Sequence, residues 1–153
     1  MELHLLRQGN AIEGFPDRSR LLSAFGREQV SGVALANRLA CEGIEKVVSS
    51  PYTRAAQTAE IFVRAAGLTK TIDWLDDLTP QGDLHAIEEF LQNTEVESVL
   101  LVSHLPLVSL LIDYLTGESG TYMGTGSLAS LSMLFAGRAT AQLNWIQHAA
   151  GIS

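Results

Sequence analysis

Short apolar runs alternate four times with segments of helical spacing along this chain, and that alternation most restricts its fold. Leu3, Leu5 and Leu6 form a strand-like run that ends at Arg7-Gln8-Gly9. Residues 10 to 24 are turn-rich and polar, which predicts a surface loop. From Arg27 to Glu42, apolar residues including Val30, Val33, Ala34 and Leu39 recur at helical spacing, and Gly43 is a natural stop. Ile44 to Val48 predict a strand leading into Ser49-Ser50-Pro51, and Thr53 to Ala66 a helix closed by Gly67. Thr71 to Leu75 predict another short strand. Asp83 suits the N-cap of a helix over about Leu84 to Gln92. Ser98 to Val102 form the most hydrophobic strand and run straight into Ser103-His104. Pro106 fits the first turn of a helix reaching about Leu115.

The tail differs in kind. Ser127 to Phe135 and Thr140 to Ile146 alternate apolar and polar residues around Ala136-Gly137-Arg138, the pattern of an antiparallel hairpin. Strands alternating with helices imply an α/β protein, a three-layer α/β/α sandwich with a mostly parallel central sheet and a C-terminal antiparallel hairpin. A chain of 153 residues is a single-domain length, able to bury roughly two thirds of its unfolded surface, so residues 1–153 are expected to form one domain. In open α/β sheets ligands bind at the carboxyl ends of strands. Arg7, Gln8, Ser49 and His104 all fall at such ends and are candidates for one shared site.

Composition narrows the class of ligand. A formal net charge of −7 argues against a nucleic-acid-binding surface, which needs clustered Lys and Arg. Glu2, His4 and Arg7 interrupt the first apolar run and no basic leader precedes it, so no secretory signal is expected. The longest apolar stretches fall far short of a membrane span. A soluble cytoplasmic protein is the expectation. The single cysteine, Cys41, provides neither a disulfide framework nor a metal-ligand cluster, and reads as a buried or idle thiol.

Arg7 and Arg54 are the first residues to suggest a phosphate ligand. Arg54 sits about one turn into a helix whose N-terminal N–H groups and dipole already favour an anion. A guanidinium offers a planar fork matching phosphate oxygens two at a time. The alternative is that both arginines are surface ion-pair partners in an acidic protein. His104 is either a satisfied structural histidine or, beside arginines, a donor that stabilises charge developing on a phosphoryl oxygen.

These residues sit within segments that resemble the histidine phosphatase (phosphoglycerate mutase-like) superfamily, and within it the short phosphohistidine phosphatases of the SixA type. Leu5-Leu6-Arg7-Gln8-Gly9 is similar to that family's LxRHG opening apart from one residue. Arg20-Leu21-Leu22-Ser23 with Gly26 resembles RPLTxxG more loosely. Ser49-Ser50-Pro51-Tyr52-Thr53-Arg54-Ala55-Ala56-Gln57-Thr58 resembles SSPxxRAxQT, Leu78-Thr79-Pro80-Gln81-Gly82-Asp83 resembles LTPxGD, and Ser103-His104-Leu105-Pro106-Leu107-Val108 resembles SHLPLV. The resemblance implies that Arg7, Arg54 and His104 form the phosphate pocket, with Gln8 at its wall. It implies a covalent phosphohistidine intermediate at position 8, which water then hydrolyses. The partner it implies is a phosphohistidine-containing phosphotransfer protein, approached through a groove without a large helical lid, and it implies no metal or organic cofactor. For the general acid it points to the loop after a middle strand, where Asp77 is the nearest match; Asp83 reads better as the helix cap.

Gln8 is the departure. A neutral imidazole carries a localised lone pair able to attack phosphorus, whereas a carboxamide nitrogen is a donor and no useful nucleophile. His4 is no substitute, lying roughly 13 Å back along a strand at about 3.3 Å per residue. Two functions therefore follow from one site: a phosphatase acting on a phosphohistidine in a signalling protein, or an inactive module that binds the phosphoryl group. A small-molecule phosphomonoesterase fits less well in a chain too short for an enclosing cap subdomain. His85 and His148 read as surface or tail residues, and Trp74 and Trp145 as core or edge-strand packing.

Overall fold

A computed structural model describes residues 1–149. Six strands form one sheet: β1 (Glu2–Arg7), β2 (Lys46–Ser49), β3 (Ile72–Trp74), β4 (Ser98–Ser103), β5 (Leu128–Met133) and β6 (Ala141–Gln147), in the order β3-β2-β4-β1-β5-β6. β1 to β4 pair in parallel, β5 runs antiparallel to β1, and β6 antiparallel to β5. The helices are α1 (Ala24–Ala36), the short α2 (Arg38–Cys41), α3 (Thr53–Ala65), α4 (Leu84–Asn93) and α5 (Leu107–Thr116). The expected α/β sandwich with its terminal hairpin is what forms.

The central strands are apolar on both faces because helices cover both. Leu3, Leu5, Val99 and Leu101 point to a core shared with Ile87 and Leu91 of α4 and Leu111 and Ile112 of α5. Their alternates Leu6, Leu100 and Val102 join Val30 and Val33 of α1 and Ala59 and Phe62 of α3. The strand period of two thus sorts one apolar run into two cores. Chain leaving β1 enters helix α1 on one face, and chain leaving β4 enters α5 on the other. Neighbouring strands that diverge in this way leave a crevice at their carboxyl ends.

Two expectations about the first helix need correction. It begins at Ala24, because the Ser23 hydroxyl caps it by accepting the Gly26 N–H at 2.9 Å. It does not run unbroken to Glu42. At Asn37 the side-chain amide donates to Val33 O at 2.8 Å, competing with the helical ladder, and α2 restarts beyond it. The preceding loop is also tied down: Ala11 bridges Leu22, the Asn10 N–H donates to Gln29 Oε1 at 2.9 Å, and the Leu22 N–H donates to Gln57 Oε1 at 2.8 Å. Glycine at position 26 permits this close approach, since a Cβ there would overlap the Asn10 carbonyl oxygen. A short 3-10 turn, Asp17–Ser19, forms inside the loop. Asp83 caps α4 as expected, accepting from the His85 N–H at 2.9 Å.

Cys41 is fully buried and burial pushes its thiol up to about 11, the behaviour of an idle core thiol. His85 lies on the α4 surface, and Trp74 is half exposed on edge strand β3. Among the described residues no helix is long and apolar enough to cross a membrane. No group of three or more His, Cys, Asp or Glu among them is placed to hold a metal ion.

Candidate active site

Strand register brings the chemistry-bearing residues together. Arg7 at the end of β1 pairs with Ser103 at the end of β4, while Ser49 on β2 pairs with Val102 of β4. Backbone bonds carry this alignment one residue past the strands: the Gln8 N–H donates to Ser103 O at 2.9 Å, and the Ser50 N–H to Val102 O at 3.0 Å. Gln8, Ser50 and His104 are consequently adjacent, although 96 residues separate the outermost two. The first turn of α3 adds Arg54, and Thr58 ties that helix back to β1. Its hydroxyl accepts the Gly9 N–H at 3.1 Å and donates to Arg54 O at 2.7 Å.

The resulting cavity encloses about 300 Å³ and is walled by Arg7, Gln8, Arg54 and His104, with Arg20, Glu13, Asn10, Ala11, Leu105 and Thr125 completing it. Arg7, Gln8, Arg54 and His104 meet here, and all but Arg7 are buried; Ser49, also expected at the site, does not line the cavity and is buried with its hydroxyl donating to Ser50 O at 2.9 Å. Arg7 Nη1 donates to Met123 O at 2.9 Å, but its Nε is buried with no partner among the described residues. Burial pulls the Arg7 guanidinium below its ordinary value; Tyr122 opposes this and the positive charge of Arg54 adds to it. It remains a cation at neutral pH.

Arg54 is engaged differently. Its Nη1 donates to Asp17 O at 2.8 Å and its Nη2 to Asp17 Oδ2 at 3.2 Å, while its guanidinium lies 5.2 Å from the Tyr52 ring centroid. A guanidinium has five N–H groups, so this pairing leaves others for a ligand. Asp17 in turn accepts from Arg20 Nη1 at 3.0 Å, and these partners hold its carboxyl below its ordinary value. The ion-pair reading of the arginines is therefore right for part of Arg54 and does not describe Arg7.

His104 is 2% exposed and held at both ring nitrogens: Nδ1 lies 3.0 Å from Gln8 Oε1 and Nε2 lies 2.8 Å from Ser50 Oγ. Burial drives its value down to about 3, helped by Arg54 and Arg7 and opposed by Asp17. The ring is neutral at physiological pH. The folded ring takes a proton only near pH 3, while the unfolded one does so near 6.5, so the unfolded state binds more protons throughout that window. Stability should therefore fall as pH drops from about 6.5 towards 3. Buried His4, also lowered by burial, adds the same sign. Urea unfolding at pH 7 and pH 4 is expected to show a smaller midpoint loss on acidification in His104→Gln than in the unaltered chain. Equal losses would contradict this assignment.

The expected acid does not join the site. Asp77 lines a separate depression with Lys46, Glu89 and Phe90. The physical cause is its neighbour: Leu78 is buried in the core, and its carbonyl accepts the Ser103 hydroxyl at 2.6 Å, which fixes the turn with Asp77 away from the Arg7 cavity. Glu13 is the carboxylate on the cavity wall. Sequence reading also passed over Asp17, Thr125 and the bond from Ser50 to His104. Arg20 was visible only as part of the weakest motif. An acidic residue in a polar loop carries no local signal that it will meet a helix 37 positions away.

Known proteins share the sequence pattern and the fold of this chain. Residues 8–79 match the histidine phosphatase superfamily (branch 1). The chain is similar to the phosphohistidine phosphatase SixA of Escherichia coli (strain K12), with 34% identity over 152 residues, covering 95% of this chain and 92% of the relative. It is also 31% identical over 130 residues to the SixA homolog of Haemophilus influenzae, covering 77% and 79% of the two chains. A solved structure of SixA complexed with tungstate superposes with a TM-score of 0.87 at 31% identity, covering 97% of each chain.

Proposed function

The chain belongs to the histidine phosphatase superfamily, as a SixA homologue, and from that premise we propose that its cavity receives the phosphoryl group of a phosphohistidine carried by a phosphotransfer protein. The observation that carries the proposal is the state of Arg7. Its guanidinium is destabilised by burial and by the charge of Arg54, and its Nε donor lacks an acceptor among the described residues. A tetrahedral oxyanion offsets both: it accepts the orphaned hydrogen bond and screens two neighbouring cations. Tungstate, present in the SixA structure, is an oxyanion of that shape. Neutral His104 and the Gln8 carboxamide complete the wall. The substrate implied by the relatives' names is phosphohistidine, and a cavity at the strand ends suits one displayed on a protein surface.

In the family reaction the phosphorus–nitrogen bond of the substrate breaks as a new one forms to a histidine at position 8. The departing imidazole takes up a proton, and water then releases inorganic phosphate. A second reading, binding without cleavage, is favoured by one observation: position 8 holds a glutamine whose carbonyl oxygen is committed to His104. Both readings share the same ligand and differ only in whether its bond is broken.

The shared part is tested by titrating a phosphotransfer domain, phosphorylated and unphosphorylated on histidine, into the chain by calorimetry. At least tenfold tighter binding of the phosphorylated form is expected, competed by tungstate. Equal affinities, or indifference to tungstate, would refute a phosphoryl site.

A further inference from the structure

His104 stands in the middle of a chain of hydrogen bonds whose direction can be worked out from its buried end. The Tyr52 backbone N–H, which can only donate, reaches Ser50 Oγ at 3.2 Å. Ser50 is 0% exposed, so its own hydroxyl proton needs a buried acceptor. Among the described residues the one acceptor in reach is His104 Nε2, at 2.8 Å. A ring that accepts at Nε2 and is neutral carries its proton on Nδ1. That Nδ1–H then donates to Gln8 Oε1 at 3.0 Å. The rest of the Gln8 carboxamide, its NH2, makes no hydrogen bond to a described residue, and Gln8 lines the cavity.

We infer that Ser50 is a positioning residue: it sets the Nδ1–H tautomer of His104 and, through that ring, turns the NH2 of Gln8 toward the anion cavity. Position 8 thereby presents hydrogen-bond donors in place of a lone pair. The order Ser50, His104, Gln8 resembles the nucleophile, base and orienting amide of hydrolases by distance. Ser50 is nonetheless sealed from solvent and does not line the cavity, so its hydroxyl orients the ring and attacks nothing. The alternative arrangement has the opposite tautomer and a flipped carboxamide. It strands the Ser50 proton without an acceptor and points the Gln8 oxygen at the phosphoryl group, where two acceptors would repel.

The second of the two readouts below rests on the phosphoryl-site reading; the first does not. Long-range proton–nitrogen NMR spectra of the full chain, labelled with nitrogen-15, report which ring nitrogen of His104 is protonated. The expected pattern is protonated Nδ1 and bare Nε2. In Ser50→Ala this pattern is expected to give way to Nε2–H or a mixture, with inorganic phosphate binding weakened roughly three- to tenfold, the loss of about one neutral hydrogen bond. Ser50→Thr, which keeps the hydroxyl, should restore both. A protonated Nε2 in the unaltered chain overturns the inference, and this measurement stands even if Ser50→Ala fails to fold. An Nδ1–H tautomer and phosphate affinity both unchanged in a folded Ser50→Ala also overturn it. An Nδ1–H pattern in a chain that binds no phosphate supports the relay and refutes the phosphoryl site instead.

Discussion

Gln8→His is expected to raise phosphohistidine hydrolysis by at least about 10³-fold over the unaltered chain, the scale on which removing a covalent nucleophile slows an enzyme. Arg7, Arg54 and His104 already share the cavity wall with position 8. The Gln8 N–H is fixed to Ser103 O at 2.9 Å and its carbonyl accepts the Gly126 N–H at 3.0 Å, so the backbone that would present an imidazole is anchored on both sides. The substitution also frees the Nδ1–H of His104, now taken by the Gln8 oxygen, to stabilise charge on the transferring group. Release of inorganic phosphate from a phosphotransfer domain measures the gain. Quenching in alkaline denaturant, where a phosphohistidine persists, should trap labelled phosphate on the variant chain and none on the unaltered one. Equal turnover by both would mean that position 8 takes no part in the chemistry. No turnover by the variant would assign the pocket to binding alone.

The strand ends were legible in the sequence because each is marked twice, by an apolar run that stops and by a polar residue at the stop. Leu5-Leu6-Arg7 and Leu101-Val102-Ser103 carry that double mark, and so the convergence of Arg7, Gln8 and His104 could be read before any coordinates. Arg54 was readable for a different reason, its fixed distance from the Ser50-Pro51 helix start. What remained hidden depends on side chains meeting across the sheet with no periodic signal. Asp17 pairs with Arg54 from a loop whose path is set by the Ala11–Leu22 bridge and by Gln57, contacts that no local pattern encodes. Asp77 misled because its position after a strand was right while its side was wrong. Burial of Leu78 decided the side, and a hydrophobic anchor outweighs the preference of an exposed carboxylate. Ser50 was visible only as the residue ahead of Pro51 at a helix start, with no hint of its bonds to the Tyr52 N–H and to His104.

Arg7→Ala is expected to weaken tungstate and phosphate binding by about 100-fold or more while leaving folding stability within about 1 kcal/mol of the unaltered chain, or slightly higher. Hydrogen bonds between a charged donor and an anion contribute roughly 1.5–3 kcal/mol each, so two lost from a forked guanidinium reach that loss in affinity. The stability half of the prediction has the opposite physical origin. Arg7 bears the cost of burial, repulsion from Arg54 and an Nε without a partner among the described residues, offset in part by its bond to Met123 O and by Tyr122. A side chain held at a net cost to the fold is kept for what it binds. Arg7→Lys should fall between, near tenfold weaker, because an ammonium supplies charge without the fork. Arg54→Ala provides the contrast: it also releases Asp17 and the turn it closes, so it should lower both affinity and the urea midpoint. Calorimetric titration of tungstate alongside urea unfolding separates the two signatures. If Arg7→Ala destabilised the fold by several kcal/mol and left oxyanion affinity intact, Arg7 would be a structural residue and the cavity would not be a phosphoryl site.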